Sequence, residues 1–163
     1  MLRHLSSGEW ILQHGDLIVK GMPDISEFKS RTGKLNCTPT EIFDFVTDIR
    51  NFRQFVPEGT IDDLLIEMDS CSFHISPLGK VNFKLSEKKP HNKVVYKGTV
   101  LQSNDFSLVL DIKENSTGRA EVNLNLAAHL NPLLKMMAAN PINNFLEKLI
   151  DEMENFKGWR TVK

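Results

Sequence analysis

Cysteine is scarce, and its scarcity excludes a class of protein. Cys37 and Cys71 are the two cysteines of the chain, too few for the disulfide framework of a small secreted scaffold. Both fall in strand-like stretches, where they can be small buried residues or neighbours across a sheet. A disulfide is compatible with the sequence and not implied by it. No Cys/His group has zinc-site spacing, and the five histidines are scattered. There is no phosphate-cradling glycine loop, no Ser–His–Asp order and no carboxylate-rich metal motif. No cofactor or metal is therefore expected.

Charge of one sign is lacking as well. Lysine plus arginine total 20 against 21 aspartate plus glutamate, for a formal net charge of -1. Bulk electrostatics gives no reason to expect nucleic acid. The run from Lys84 to Lys93 holds four lysines together with Glu87. It reads as a solvated hairpin, with a local basic patch as the alternative. No apolar run approaches the length of a membrane span. The first residues have no apolar stretch before a small-residue cleavage site, because Arg3, His4, Ser6, Ser7 and Glu9 interrupt Leu2, Leu5 and Trp10–Leu12. Cytoplasm is the expected compartment, where the triplet Asn115-Ser116-Thr117 carries no meaning as a glycosylation signal.

What is present suits one soluble domain. The chain has 163 residues, 40% hydrophobic and 25% charged, enough for a substantial core. Residues 1–24 show no sustained period and contain Gly8, Gly15, Gly21 and Pro23. They are expected to be a weakly ordered extension or an upstream artefact, with Met22 as an alternative start. A strand over Trp10–Val19 is the competing reading. The domain proper is placed at 25–163.

From Ile25 to Cys37 the chain looks extended. Thr38-Pro39-Thr40-Glu41 then forms a capping box, with proline at the first helical position. A short helix carrying Ile42, Phe43, Phe45, Val46 and Ile49 follows, and a second short helix or turn spans Arg50–Phe55. Strands are expected at Ile61–Met68, Cys71–Ser76, Val81–Leu85, Val94–Leu101, Phe106–Ile112 and Ala120–Leu130. They are separated by turn residues such as Pro77-Leu78-Gly79, Pro90-His91-Asn92 and Asn115–Gly118. The alternation of Val122, Leu124, Leu126 and Ala128 against Glu121, Asn123 and Asn125 gives the sheet one apolar face, which must be covered. The cover is a long helix opening at Asn131-Pro132, apolar at Leu134, Met137, Ala138, Ile142, Phe145, Leu146, Leu149, Met153 and Phe156. Lys157-Gly158 stops it. Pro141 inside it is expected to kink or break it near Met137–Asn140.

The stretch Leu35-Asn36-Cys37-Thr38-Pro39-Thr40-Glu41-Ile42-Phe43-Asp44-Phe45-Val46-Thr47-Asp48 resembles the first strand and helix of the START/SRPBCC superfamily. Asn51–Pro57 resembles the segment where many members carry a tryptophan and a proline, with phenylalanines here in place of the tryptophan. Asn131–Phe156 resembles the long C-terminal helix. More narrowly, Asp69–Phe73 with Ser76–Gly79 resembles an uncharacterised, polyketide cyclase-like bacterial branch. The resemblance covers about Ile25 to Trp159. It implies an α+β helix-grip fold: a curved antiparallel sheet of about six to seven strands wrapped on a long C-terminal helix, with two short helices after the first strand. It implies an apolar cavity for a small hydrophobic ligand such as a lipid, quinone or polyketide. It transfers no catalytic set, because the superfamily has none in common.

Phe52, Phe55, Phe83, Tyr96, Phe106, Met137, Phe145 and His74 are the candidates to line that cavity. The ten phenylalanines against one tyrosine make the aromatic content mainly apolar, and a core that they fill completely is the alternative to a hollow one. Tyr96 can meet a ligand carbonyl or serve only as packing. His74 is a ligand or base candidate only if Ser72, His74 and Ser76 point inward, and Phe73 and Ile75 favour the opposite register. His129 and Asn131 flank the start of the long helix. Asp62 and Asp63, and Asp151, Glu152 and Glu154, read as a solvated loop and a solvated helix face. Three functions compete: a carrier of a hydrophobic ligand, a cyclase- or dehydratase-type enzyme, and a protein-interaction module contacting partners through Pro77-Leu78-Gly79 and Phe52–Phe55. The carrier is favoured, catalysis is not implied, and no oligomeric state is written in the sequence.

Overall fold

The structure, a computed structural model, describes residues 2–4, 10–12, 25–56, 59, 61–101 and 104–159. Two strands near the start, β1 (Leu2–His4) and β2 (Trp10–Leu12), pair antiparallel in a sheet of their own. The rest of the segment 1–24, including the remainder of the expected strand to Val19, lies outside the described residues.

The main sheet begins with β3 (Ile25–Lys29) and the short β4 (Gly33–Lys34). Helix α1 (Pro39–Val46) follows, and then a 3-10 helix, Ile49–Phe55. The remaining strands are β5 (Asp62–Ile66), β6 (Ser70–Ile75), β7 (Gly79–Lys89), β8 (Lys93–Val100), β9 (Asn104–Glu114) and β10 (Ala120–His129). Helix α2 (Pro132–Asn155) closes the chain. The sheet has eight strands in the order β3-β10-β9-β8-β7-β6-β5, with β4 also on β10, and every pairing is antiparallel. Strands β5 to β10 form a meander, while α1 and the 3-10 helix carry the chain from one sheet edge to the other.

Local chemistry explains the ends of these elements. Thr38 caps α1: its hydroxyl accepts from the Glu41 N–H at 3.2 Å, and the Glu41 carboxylate accepts from the Thr38 N–H at 2.9 Å. Asp48, the aspartate that ends the family-like stretch, caps the 3-10 helix by accepting from the Arg50 N–H at 3.0 Å. Hydrogen bonding to the Arg50 guanidinium holds its carboxyl below the usual range. Asn131 caps α2, with its side chain accepting from Leu134 N–H at 2.9 Å.

Helix α2 runs unbroken through Pro141, so of the kink or break expected there, the break does not occur. The proline removes one backbone donor, but Ala138 and Ile142 on either side are both buried, and this packing holds the helix together. Its C-terminal half is tied to the sheet. Arg31, between β3 and β4, donates to Glu154 at 2.9 and 3.0 Å, to Asp151, and from its backbone to Glu147 at 2.9 Å. Gly33 lets β4 approach closely, since a Cβ there would sit 2.9 Å from the Ile150 side chain. Asp151 and Glu154 are thus ion-pair partners of Arg31 and not merely a solvated face. No disulfide joins Cys37 and Cys71, which are both buried. Burial pushes the Cys71 thiol up to about 12.

Candidate functional site

The alternation along β6 to β10 puts Cys71, Phe73, Ile75, Val81, Phe83, Phe106, Leu110, Val122 and Leu124 on the buried side of the sheet. Helix α2 presents Ile142, Leu146, Leu149 and Met153 toward them. Between the two lies a cavity of about 100 Å³. One end of its wall comes from Val46 of α1 and from Ile49, Phe52 and Phe55 of the 3-10 helix.

Among the described residues, no charged side chain lines it. The polar lining residues are Asn51 and Tyr96, and both are bonded to neighbouring carbonyls at the end of α1. The Tyr96 hydroxyl donates to the Val46 carbonyl at 2.6 Å, and the Asn51 amide donates to the Phe45 carbonyl at 2.8 Å. These donors bind carbonyls at a helix C-terminus, where the Phe45 carbonyl also accepts from the Asp48 N–H at 3.4 Å. Burial raises the Tyr96 phenol well above its ordinary range, so it stays protonated.

The aromatic rings form a chain around the space. Phe52 stacks on Phe73 at 5.9 Å and meets Phe83 edge-on at 5.3 Å. Phe73 also contacts Phe145 at 5.8 Å, and Phe83 meets Tyr96 at 5.7 Å. A second cluster of Phe45, Phe55, Phe156 and Trp159 closes the C-terminal end of α2.

Of the sequence candidates, Phe52, Phe55, Phe83, Tyr96, Phe106 and Phe145 are brought together around the cavity. Two are not. His74 stands exposed on the outer face, 3.5 Å from Asp63, because Phe73 and Ile75 take the inward register of β6. Met137 is 44% exposed and lies with Leu133 and Met136 on the outer side of α2, before the part of the helix that faces the cavity. Of the expected protein contacts, Leu78 and Phe55 are buried and line the cavity, while Pro77, Gly79, Arg53 and Gln54 are exposed. His129 is exposed at the end of β10. Sequence reasoning did not single out Asn51, whose role depends on its contact with α1. It also left Leu108, Leu124 and Leu126 as sheet-face residues, although their alternation was the available signal.

No family model and no curated protein matches the chain. Solved structures do. Norcoclaurine synthase from Thalictrum flavum superposes with a TM-score of 0.65 at 9% identity, covering 88% of this chain and 92% of its own. The protein XoxI from Bacillus cereus gives 0.61 at 8% identity, covering 79% and 93%. The Aha1 dimer from Colwellia psychrerythraea gives 0.53 at 15% identity, covering 82% and 99%. At such identities the likeness is one of fold. Sheet order, the two short helices between the first and following strands, and the long terminal helix agree with it: the chain has an α+β helix-grip fold.

Proposed function

We propose that the protein binds and carries a small, neutral, apolar molecule in the cavity between sheet and α2. The observation that carries this reading is the wall itself: among the described residues it has no charged group, and its Tyr96 and Asn51 donors are engaged by α1 carbonyls. A charged ligand would lose its hydration there without gaining a partner. An acid–base enzyme of the cyclase kind needs a titrating group beside the substrate. His74 is outside, and burial keeps Tyr96 protonated. The norcoclaurine synthase likeness is one of fold and supplies no such group to this chain. Size narrows the class further. An engineered apolar hole of about 150 Å³ takes up benzene, so the present space suits a single ring or a short chain unless side chains move aside.

Toluene and benzoate make a matched pair for the test. Toluene at about a hundredfold excess over its Kd is expected to stabilise the fold by about 2.7 kcal/mol. For a domain of this size that is a rise in Tm of about 5–10 °C. Benzoate should give none. Leu126→Phe, which fills the cavity from β10, should abolish the toluene shift while leaving the fold intact. An unchanged Tm with toluene and other one-ring hydrocarbons would remove the proposal.

A further inference from the structure

The sheet face turned away from the cavity concentrates the positive charge of the molecule. Segment 79–100 contains Lys80, Lys84, Lys88, Lys89, Lys93 and Lys97 against the single acid Glu87; Lys88 pairs with the buried Val94 and so takes the inward register, and the other five lysines share the outer face. The whole hairpin sums to +5, so a chain of net -1 carries -6 elsewhere. All six lysines are exposed. Among the described residues, none has a carboxylate within ion-pair distance.

Register brings like charges together. Lys84 stands directly opposite Lys97, and Lys89 opposite Lys93. Like charges opposed across a ladder destabilise it, so folding gives no account of these pairs. Beyond the first pair lie hydroxyls: Ser70 opposite Lys84, and Ser107 opposite Lys97. Next along the strands, Asn82 donates to the Thr99 hydroxyl at 2.9 Å. Acids bound the patch, with Asp105 opposite Thr99 at its β9 side. Glu87 lies between the two lysine pairs, Asp111 faces Lys93, and Glu67 and Asp69 flank the β5–β6 turn. The centre is therefore Lys84 and Lys97, with Lys80 two pleats away on the same face.

We propose that this lysine face docks the protein on an anionic lipid surface. The chemistry of the face separates that partner from the others. Nucleic acid is gripped by arginine forks and stacked on exposed rings, and the outward positions of β6 to β9 hold no arginine, phenylalanine, tyrosine or tryptophan. A stable protein interface has an apolar centre, and none of the exposed large hydrophobic side chains lies on β6 to β9. Lysine point charges with a fringe of hydroxyls match a diffuse layer of phosphate and carboxylate headgroups. The opposite charge of the remaining chain orients the molecule with this face toward such a layer. The inference rests on the outer face and holds whether or not the cavity takes a ligand.

Co-sedimentation with vesicles tests it. The full chain should pellet with phosphatidylserine–phosphatidylcholine vesicles, stay in solution with pure phosphatidylcholine, and be released by about 1 M salt, which shortens electrostatic reach to about 3 Å. Each cation near an anionic surface contributes about a factor of five. Lys84→Glu, which counts as two, should therefore weaken binding about thirty-fold. The same change converts a like-charge pair into an opposite-charge one, so its Tm should be unchanged or higher, and weakened binding cannot be blamed on unfolding. Equal pelleting with both vesicle types, or full binding by Lys84→Glu, would overturn the proposal. So would salt-sensitive binding to single-stranded RNA without vesicle binding, which would assign the face to nucleic acid.

Discussion

Gly98 is the residue with the least freedom to change. It sits in β8 between Tyr96 and Val100, opposite Phe83 on β7 and Phe106 on β9. A Cβ at this position would lie 1.7 Å from the Asn82 carbonyl oxygen and 2.7 Å from the Phe83 Cα. Both are backbone atoms, so a rotamer change cannot relieve the clash, and the two strands must separate. Gly98→Ala is expected to cost about 3 kcal/mol, the upper end for overpacking, read from the midpoint of urea unfolding. A near-neutral result would mean that the β7–β8 ladder is looser than its register indicates. Nothing in the sequence marks this glycine, because its constraint comes from Asn82 and Phe83 on the other arm of the hairpin and not from its neighbours along the strand. The Thr38 cap is the opposite case: its hydrogen bonds run between residues three apart, and the residue types alone announce them.

Elements whose signal is local were legible for the same reason. Proline at the start of α1 and of α2, the alternation of β7, β9 and β10, and the apolar stripe of α2 are patterns within a few residues. The attachment of α2 to the sheet was not, since Arg31 reaches carboxylates more than a hundred positions away. That attachment has a pH signature. The hydrogen bonds from Arg31 hold the Glu154 carboxyl below its ordinary value, and the Lys34 N–H adds to this at 2.9 Å. A lowered folded-state pKa gives stability that is present above the unfolded value, about 4.3, and lost as pH falls through the lower folded value. Glu154→Gln should therefore destabilise the protein by about 1 kcal/mol near neutrality, as expected for a surface network. It should also flatten the acid limb of a stability–pH curve. A limb of unchanged steepness would place the acid sensitivity in other carboxylates, with Asp48 and its Arg50 partner next to consider.

At the scale of the whole molecule, fold stability and an open interior compete for the same side chains. The fold and its apolar interior were readable from patterning, but the degree of filling was not. Alternation says which residues face inward and is silent on whether their volumes sum to the space available. The rings of Phe52, Phe73, Phe83 and Phe145 pack against one another around a cavity of about 100 Å³. Phe145 is the one to remove, because it lies on α2, lines the cavity and is only half-buried. Phe145→Ala should enlarge the cavity by about one ring and cost about 3 kcal/mol, the lower end for such a truncation. If the interior is a ligand site limited by its own aromatic filling, naphthalene should raise the Tm of the variant and leave the wild type unmoved, while toluene stabilises both. A variant that loses stability yet gains no affinity for the larger hydrocarbon would show that the neighbouring rings collapse into the vacancy. The interior would then be a packed core with a residual gap, and the work of the protein would lie on its lysine-bearing outer face.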